Sequence, residues 1–261
     1  MFKRNKIALG IFAVFYISFG AYITVNQEKI IYQPGSQDFE SCRGFADAEK
    51  ISHKGTRMYK KAGDNGVVVL YHGNAGSACN RVFYAKLFER AGYGYIVPEY
   101  AGYSNDMRTP THELIKGDVQ NVVSYLGIND MQSVVVIGES IGTGMASFHT
   151  SLLAPEKLLL ISPFSSLTDV AQRRFWFYPA FLLVENAFDN ISLLSSYQGY
   201  VTIVHGEKDA IISQKSGLKL YEYLHTSKKE FVSVEGYGHN DLFSSPIPYE
   251  VIHKVLESNR E

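Results

Sequence analysis

The chain has 261 residues, 46% hydrophobic and 20% charged, which is enough for one sizeable globular core. Lysine and arginine nearly balance aspartate and glutamate, and the formal net charge of -1 leaves no whole-chain field that would gather nucleic acid. Cys42 and Cys79 match no zinc or redox spacing, so the sequence leaves both pairing and separate buried thiols open, and no metal or organic cofactor is expected.

Lys3, Arg4 and Lys6 precede a run from Ile7 to Val25 without a charge, about 28 Å of helix at ~1.5 Å per residue. That length crosses a bilayer. Gln27-Glu28-Lys29 opens the far side, so the positive-inside rule puts the amino terminus in the cytoplasm and the body on the non-cytoplasmic side. The expected organisation is a basic stub and single-pass signal anchor over 1–27, followed by a catalytic domain over 28–261. A cleaved signal peptide, with a marginal small-residue site at Ser18-Phe19-Gly20, and a buried core helix are the competing readings.

Next, Ile51 to Lys60 and the turn-like Gly63-Asp64-Asn65-Gly66 predict an antiparallel hairpin arm. Beyond it, strand-length apolar runs alternate with segments of helical period. Strands are expected at Val67 to Tyr71, Tyr95 to Val97, Ser133 to Ile137, Leu158 to Ile161, Val201 to His205 and Glu230 to Val234. Helices are expected at Ala78 to Ala91, Thr111 to Leu126, Ile141 to Leu153, Ser213 to Leu224 and Pro248 to Glu257, with Thr111 and Ser213 as starts. This alternation defines an α/β chain: a mostly parallel central sheet with helices on both faces. The aromatic-rich stretch 164–190 reads equally as a small cap or as ordinary amphipathic helices packed on the sheet.

Gly138-Glu139-Ser140-Ile141-Gly142 follows directly on the apolar run Val134 to Ile137, so a serine stands where a buried strand turns into a helix. A serine hydroxyl is a weak nucleophile until it is lifted from the sheet and placed beside a base. His239, on a glycine-loosened loop after the last strand, is the expected base. Asp209, after the strand Val201 to His205, is the expected orienting carboxylate, preferred over Glu207 because Ala210-Ile211-Ile212 would shield it. The order Ser140, Asp209, His239 is that of an α/β-hydrolase. Backbone N–H groups of Ile141 and of Asn74, in Tyr71-His72-Gly73-Asn74-Ala75-Gly76, are the expected oxyanion donors.

The His-Gly-Asn-Ala-Gly loop, Glu99-Tyr100-Ala101-Gly102-Tyr103-Ser104, the Gly-Glu-Ser-Ile-Gly turn with Thr143-Gly144, His-Gly-Glu-Lys-Asp and Gly-Tyr-Gly-His-Asn-Asp resemble α/β-hydrolase-domain proteins of the serine-aminopeptidase-like type. The likeness runs over most of Glu28 to Leu242 and is greatest for amino-terminally anchored members, including eukaryotic protein depalmitoylases. Two departures are the glutamate at 99, where the family usually has aspartate, and the lack of a proline near Tyr200. The resemblance implies a Ser140-His239-Asp209 triad. The expected activity is hydrolysis of carboxylic ester or thioester bonds in a small acyl or lipid-like substrate, through an acyl-serine intermediate. Phe164, Trp176, Phe177 and Tyr103 are the substrate-pocket candidates. A serine peptidase of the same fold and a non-catalytic hydrolase-fold scaffold are the alternatives.

Overall fold

Val67-Val68-Val69-Leu70-Tyr71 has no polar face, so as a strand it must be covered on both sides, and it lies at the centre of the molecule. The computed structural model describes residues 2–129, 133–185 and 187–257. Its strands are β1 (Glu49–His53), β2 (Thr56–Lys61), β3 (Val67–Tyr71), β4 (Gly94–Glu99), β5 (Val134–Glu139), β6 (Lys157–Ile161), β7 (Tyr200–Gly206) and β8 (Lys229–Val234). They form one eight-stranded sheet in the order β1-β2-β4-β3-β5-β6-β7-β8. The pairings β1 with β2 and β2 with β4 are antiparallel, and the rest are parallel.

The long helix α1 (Phe2–Ile31) precedes the sheet, and α2 (Val82–Arg90), α3 (His112–Ile128), α4 (Gly142–Leu152), α8 (Gln214–Tyr223) and α9 (Ile247–Glu257) alternate with its strands. Side chains of a strand point alternately to its two faces, and the core divides accordingly. Val67, Val69 and Tyr71 pack with Val119 and Val122 of α3, Met145 of α4 and Leu220 of α8. Val68 and Leu70 pack with Ala85 and Phe88 of α2 and Val251 and Ile252 of α9. Thr111 Oγ1 accepts from Leu114 N at 3.2 Å and Ser213 Oγ from Lys215 N at 3.4 Å, so both expected helix starts are N-caps.

The hairpin arm forms, but its turn is not Gly63 to Gly66. Lys54 and Gly55, at φ 51° and 88°, make the two-residue turn between β1 and β2, where both central residues need a left-handed backbone. Gly63 to Gly66 instead links β2 to β3. Cys42 and Cys79 form a disulfide with Cα atoms 5.9 Å apart, joining the arm before the sheet to the turn that leads into α2.

Within 164–190 the chain forms α5 (Leu167–Arg174) and the single turn α6 (Ala180–Leu183), followed by α7 (Asn190–Leu193). Leu167, Val170, Phe175, Tyr178 and Leu183 face the same cavity as Ser140, so the segment is a small cap over the site. The span Asn5–Ile31 within α1 is long and apolar enough to cross a membrane, and most of its side chains are exposed.

Candidate active site

Ser140 stands between β5 and α4 with φ 55°, a left-handed conformation that a serine adopts only where its surroundings enforce it. The flanking glycines supply the space. A Cβ on Gly138 would lie 2.7 Å from the Ala146 side chain, and one on Gly142 would lie 2.2 Å from the Tyr71 carbonyl oxygen. The turn is held to the next strand by Ser140 N donating to Ile161 O at 2.9 Å.

The loop after β8 brings His239 over this turn, with Nε2 2.8 Å from Ser140 Oγ. His239 Nδ1 lies 2.6 Å from Asp209 Oδ2, on the loop after β7. The two loops are tied by Lys208 N donating to Tyr237 O at 2.8 Å. Because a carboxylate can only accept, the proton between them belongs on Nδ1, and Nε2 is left to accept from the serine hydroxyl. Residues far apart in the chain thus form one hydrogen-bonded relay.

Asp209 is better enclosed than its own loop would make it. Ile211 N and Ile212 N donate to its Oδ1 at 2.9 and 2.8 Å. His205 Nε2, at the end of β7 and fully buried, approaches Oδ2 at 3.4 Å while donating to Ile212 O at 2.8 Å. Burial pushes this carboxyl upward, but the contacts from His205, His239 and Ile212 outweigh it and hold its pKa well below the usual carboxylate range. Of the residues expected to shield it, Ile212 is buried whereas Ala210 and Ile211 are exposed. Glu207 faces solvent and accepts from Gly236 N at 3.2 Å.

On the other side of Ser140, the loop after β3 is braced from beneath. His72 Nε2 lies 3.3 Å from Glu99 Oε1, and the two carboxylate oxygens of Glu99 accept from Ala78 N at 3.1 and 3.2 Å. Tyr100 OH donates to His72 O at 2.8 Å. The Asn74 side chain is turned away from the serine: its Oδ1 accepts from Gln33 N and Tyr103 OH, each at 2.8 Å, and its Nδ2 donates to Ile31 O. Asn74 and Ile141 both line the cavity, and among the described residues neither backbone N–H has an acceptor. Ile141 N also stands at the start of α4, where helix N–H groups favour negative charge.

The cavity above Ser140 has a volume of about 620 Å³. Phe164 lines it, as expected; Tyr103, Trp176 and Phe177 do not. Tyr103 is fully buried and spends its hydroxyl on Asn74, beneath the loop, while Trp176 and Phe177 point outward from the cap. Two features escaped the sequence reading. Arg81 meets Glu139, the residue before the serine, through Nε and Nη2 at 2.8–3.0 Å, and fixes the turn leading into α2 against β5. The last turns of α1, through Ile23, Gln27, Ile30 and Ile31, form part of the cavity wall. The motif Gly-Glu-Ser-Ile-Gly contains the glutamate, but nothing in the spacing of Arg81 marks it as the partner.

A serine on a sharp turn between a central parallel strand and a helix, with a carboxylate and an imidazole on later strand ends, is the arrangement of the α/β-hydrolase fold, and the chain has that fold. No protein-family model matches it. An uncharacterised Mycobacterium tuberculosis protein is 24% identical over 250 residues, covering 90% of this chain and 89% of that one. The chicken (Gallus gallus) lysophosphatidylserine lipase ABHD12 is 27% identical over 225 residues, 74% of this chain and 59% of the lipase. The mouse (Mus musculus) ABHD12 is 26% identical, covering 75% and 56%. The chain thus aligns with little more than half the length of these lipases. The Pyrococcus furiosus esterase Pf2001 superposes with a TM-score of 0.68 at 13% identity, covering 87% of this chain and 99% of the esterase. The Thermogutta terrifontis esterase Est2 with propionate bound gives 0.66 at 15%, covering 82% and 95%. At these identities the structural likeness concerns the fold.

Proposed function

We propose that the protein is a membrane-anchored serine hydrolase that cleaves carboxylic esters of lipid-like substrates. The observation that carries the reading is the Ser140-His239-Asp209 relay, with contacts of 2.8 and 2.6 Å, at the floor of a largely apolar cavity. In this mechanism Ser140 Oγ attacks the ester carbonyl as its proton passes to His239 Nε2, and Asp209 stabilises the imidazolium. The backbone N–H groups of Asn74 and Ile141 receive the oxyanion. One such donor is worth about 3 kcal/mol of transition-state stabilisation. His239 then protonates the departing alcohol, and water, deprotonated by the same nitrogen, releases the acyl group from Ser140. A thioester would follow the same steps with a thiol leaving group. The lipase and esterase names of the relatives and fold neighbours support the ester assignment.

A peptidase that reads a free amino terminus needs an unpaired carboxylate near the serine. Among the described residues the carboxylate lining the cavity is Glu139, and it is already bound to Arg81 through two nitrogens. The membrane part of the reading rests on α1, with the body on the non-cytoplasmic side as the basic residues before Ile7 predict. The disulfide fits that side, because paired cysteines persist in oxidising compartments. Ser140→Ala should abolish both turnover of p-nitrophenyl acetate and labelling by a fluorophosphonate probe. Unchanged turnover and labelling in that variant would end the proposal.

A further inference from the structure

Tyr16, Gly20, Ile23, Gln27 and Ile31 recur along α1 at the three- and four-residue intervals that align side chains on one helix face. That face meets the cap. Tyr16 and Tyr178 stack with ring centroids 4.3 Å apart, and their hydroxyls donate to the carbonyls of Phe177 and Tyr16 respectively, each at 2.6 Å. A Cβ at Gly20 would lie 3.0 Å from the Tyr178 ring, so the small residue is what lets the tyrosine seat against the helix. Further along, Gln27 Oε1 accepts from Glu185 N at 3.0 Å, and both Ile23 and Gln27 border the cavity that holds Ser140.

The height of this contact along α1 decides where the cap sits. Lys6 closes the apolar run at one end, and Ile7 to Tyr16 covers only about 14 Å of helix at ~1.5 Å per residue. The hydrocarbon layer is about 30 Å thick. A helix that spans it from Ile7 onward therefore carries Tyr16, and the cap residues bonded to it, near mid-bilayer depth and not above the headgroups. The tip of the cap has the matching composition. Trp176, Phe181, Leu182 and Phe177 are 78%, 71%, 67% and 46% exposed, a cluster that an aqueous surface seldom carries. It continues the apolar surface of α1 directly, through the Tyr16–Tyr178 stack.

We propose that the tip of the cap is immersed in the leaflet on the body's side of the bilayer, and that the substrate is a lipid ester drawn sideways from that leaflet into the cavity between α1 and the cap. Immersion rests on α1 spanning the membrane; lateral delivery rests in addition on the ester-hydrolase reading. Ile23 on α1 and the cap residues Tyr178 and Leu183 line the same largely apolar cavity as Ser140, so an acyl chain entering between α1 and the cap would lie against them with its ester toward the serine.

Trp176 is the only tryptophan in the chain, so its emission reports on the tip alone. The full chain is reconstituted in phosphatidylcholine vesicles, with and without lipid brominated along the acyl chains, and aqueous iodide is added separately. Immersion predicts emission shifted to the blue of the denatured protein, strong quenching by brominated lipid and little by iodide. Quenching by iodide but not by brominated lipid would overturn the proposal. So would a blue shift without bromine quenching, which would place the tip against another copy of the chain. Delivery is tested with Phe181→Glu. Hydrolysis of p-nitrophenyl palmitate carried in the vesicles should fall tenfold or more, while that of water-soluble p-nitrophenyl acetate stays within twofold. Equal effects on both esters would overturn lateral delivery. A parent that hydrolyses neither ester while Trp176 is quenched by brominated lipid would instead sink the hydrolase reading and leave immersion standing.

Discussion

Replacing Asp209 with asparagine keeps its shape and removes one acceptor, and the surrounding bonds dictate how the amide must sit. Ile211 N and Ile212 N both donate to Oδ1, so the amide oxygen takes that position and the amide nitrogen takes the place of Oδ2, now 2.6 Å from His239 Nδ1. Two N–H donors then face each other. His239 escapes the clash by moving its proton to Nε2, which presents a donor to Ser140 Oγ where an acceptor is required. With the base in the wrong tautomer, kcat should fall by about 10⁴, or ~5.4 kcal/mol in barrier at ~1.36 kcal/mol per tenfold. The assay is kcat for p-nitrophenyl acetate beside the rate of fluorophosphonate labelling, with a thermal melt to show that the fold persists. Both rates should fall together. An Asp209→Asn variant within tenfold of the parent would refute the idea that this carboxylate sets the tautomer.

The disulfide closes a loop with a sequence separation of 37, for which chain entropy predicts a contribution of about 4 kcal/mol. A Cys42→Ser/Cys79→Ser double variant should melt lower by on the order of 10 °C, and a reductant should no longer shift it; equal melting of parent and variant would contradict the link. His149 is buried beneath Tyr71, with Nδ1 2.8 Å from the tyrosine hydroxyl, and burial pushes its pKa down to about 3. Since the folded value lies below the unfolded one of ~6.5, its contribution is complete above about pH 6.5 and is lost as pH falls toward 3, at up to ~1.4 kcal/mol per pH unit. Melting temperatures from pH 7 to pH 4 should therefore decline less steeply in His149→Gln than in the parent.

How far the sequence could be read followed from how many sides of a segment were constrained. The run Val67 to Tyr71 is apolar on both faces, and β3 has those same limits because a strand in mid-sheet tolerates no other pattern. Gly138 and Gly142 were legible for a similar reason, since a side chain at either would collide with its neighbours. Lys54-Gly55 was missed as a turn because the left-handed lysine lacks the asparagine or aspartate that usually marks such a position. In the cap, apolar residues face both inward and outward. Phe164 and Trp176 therefore look alike in sequence, although one lines the cavity and the other does not. The wall supplied by α1 was hidden for a different reason: a helix hydrophobic on every side does not announce which side it lends to a neighbour.

The grip of Asn74 on Ile31 O, at the end of the Ile23-to-Ile31 wall, means that the amino-terminal helix is no detachable leash. A protease cutting near Ser18-Phe19-Gly20 would leave Ile23, Gln27 and Ile31 on a remnant of about three turns, too short to hold its coil unaided in water. In the membrane-anchored hydrolase proposed above, shedding would slacken the loop that carries Asn74 together with the α1 wall of the cavity. A clipped form of that enzyme would then leave the bilayer with its turnover lost, and hydrolysis would stay confined to the membrane.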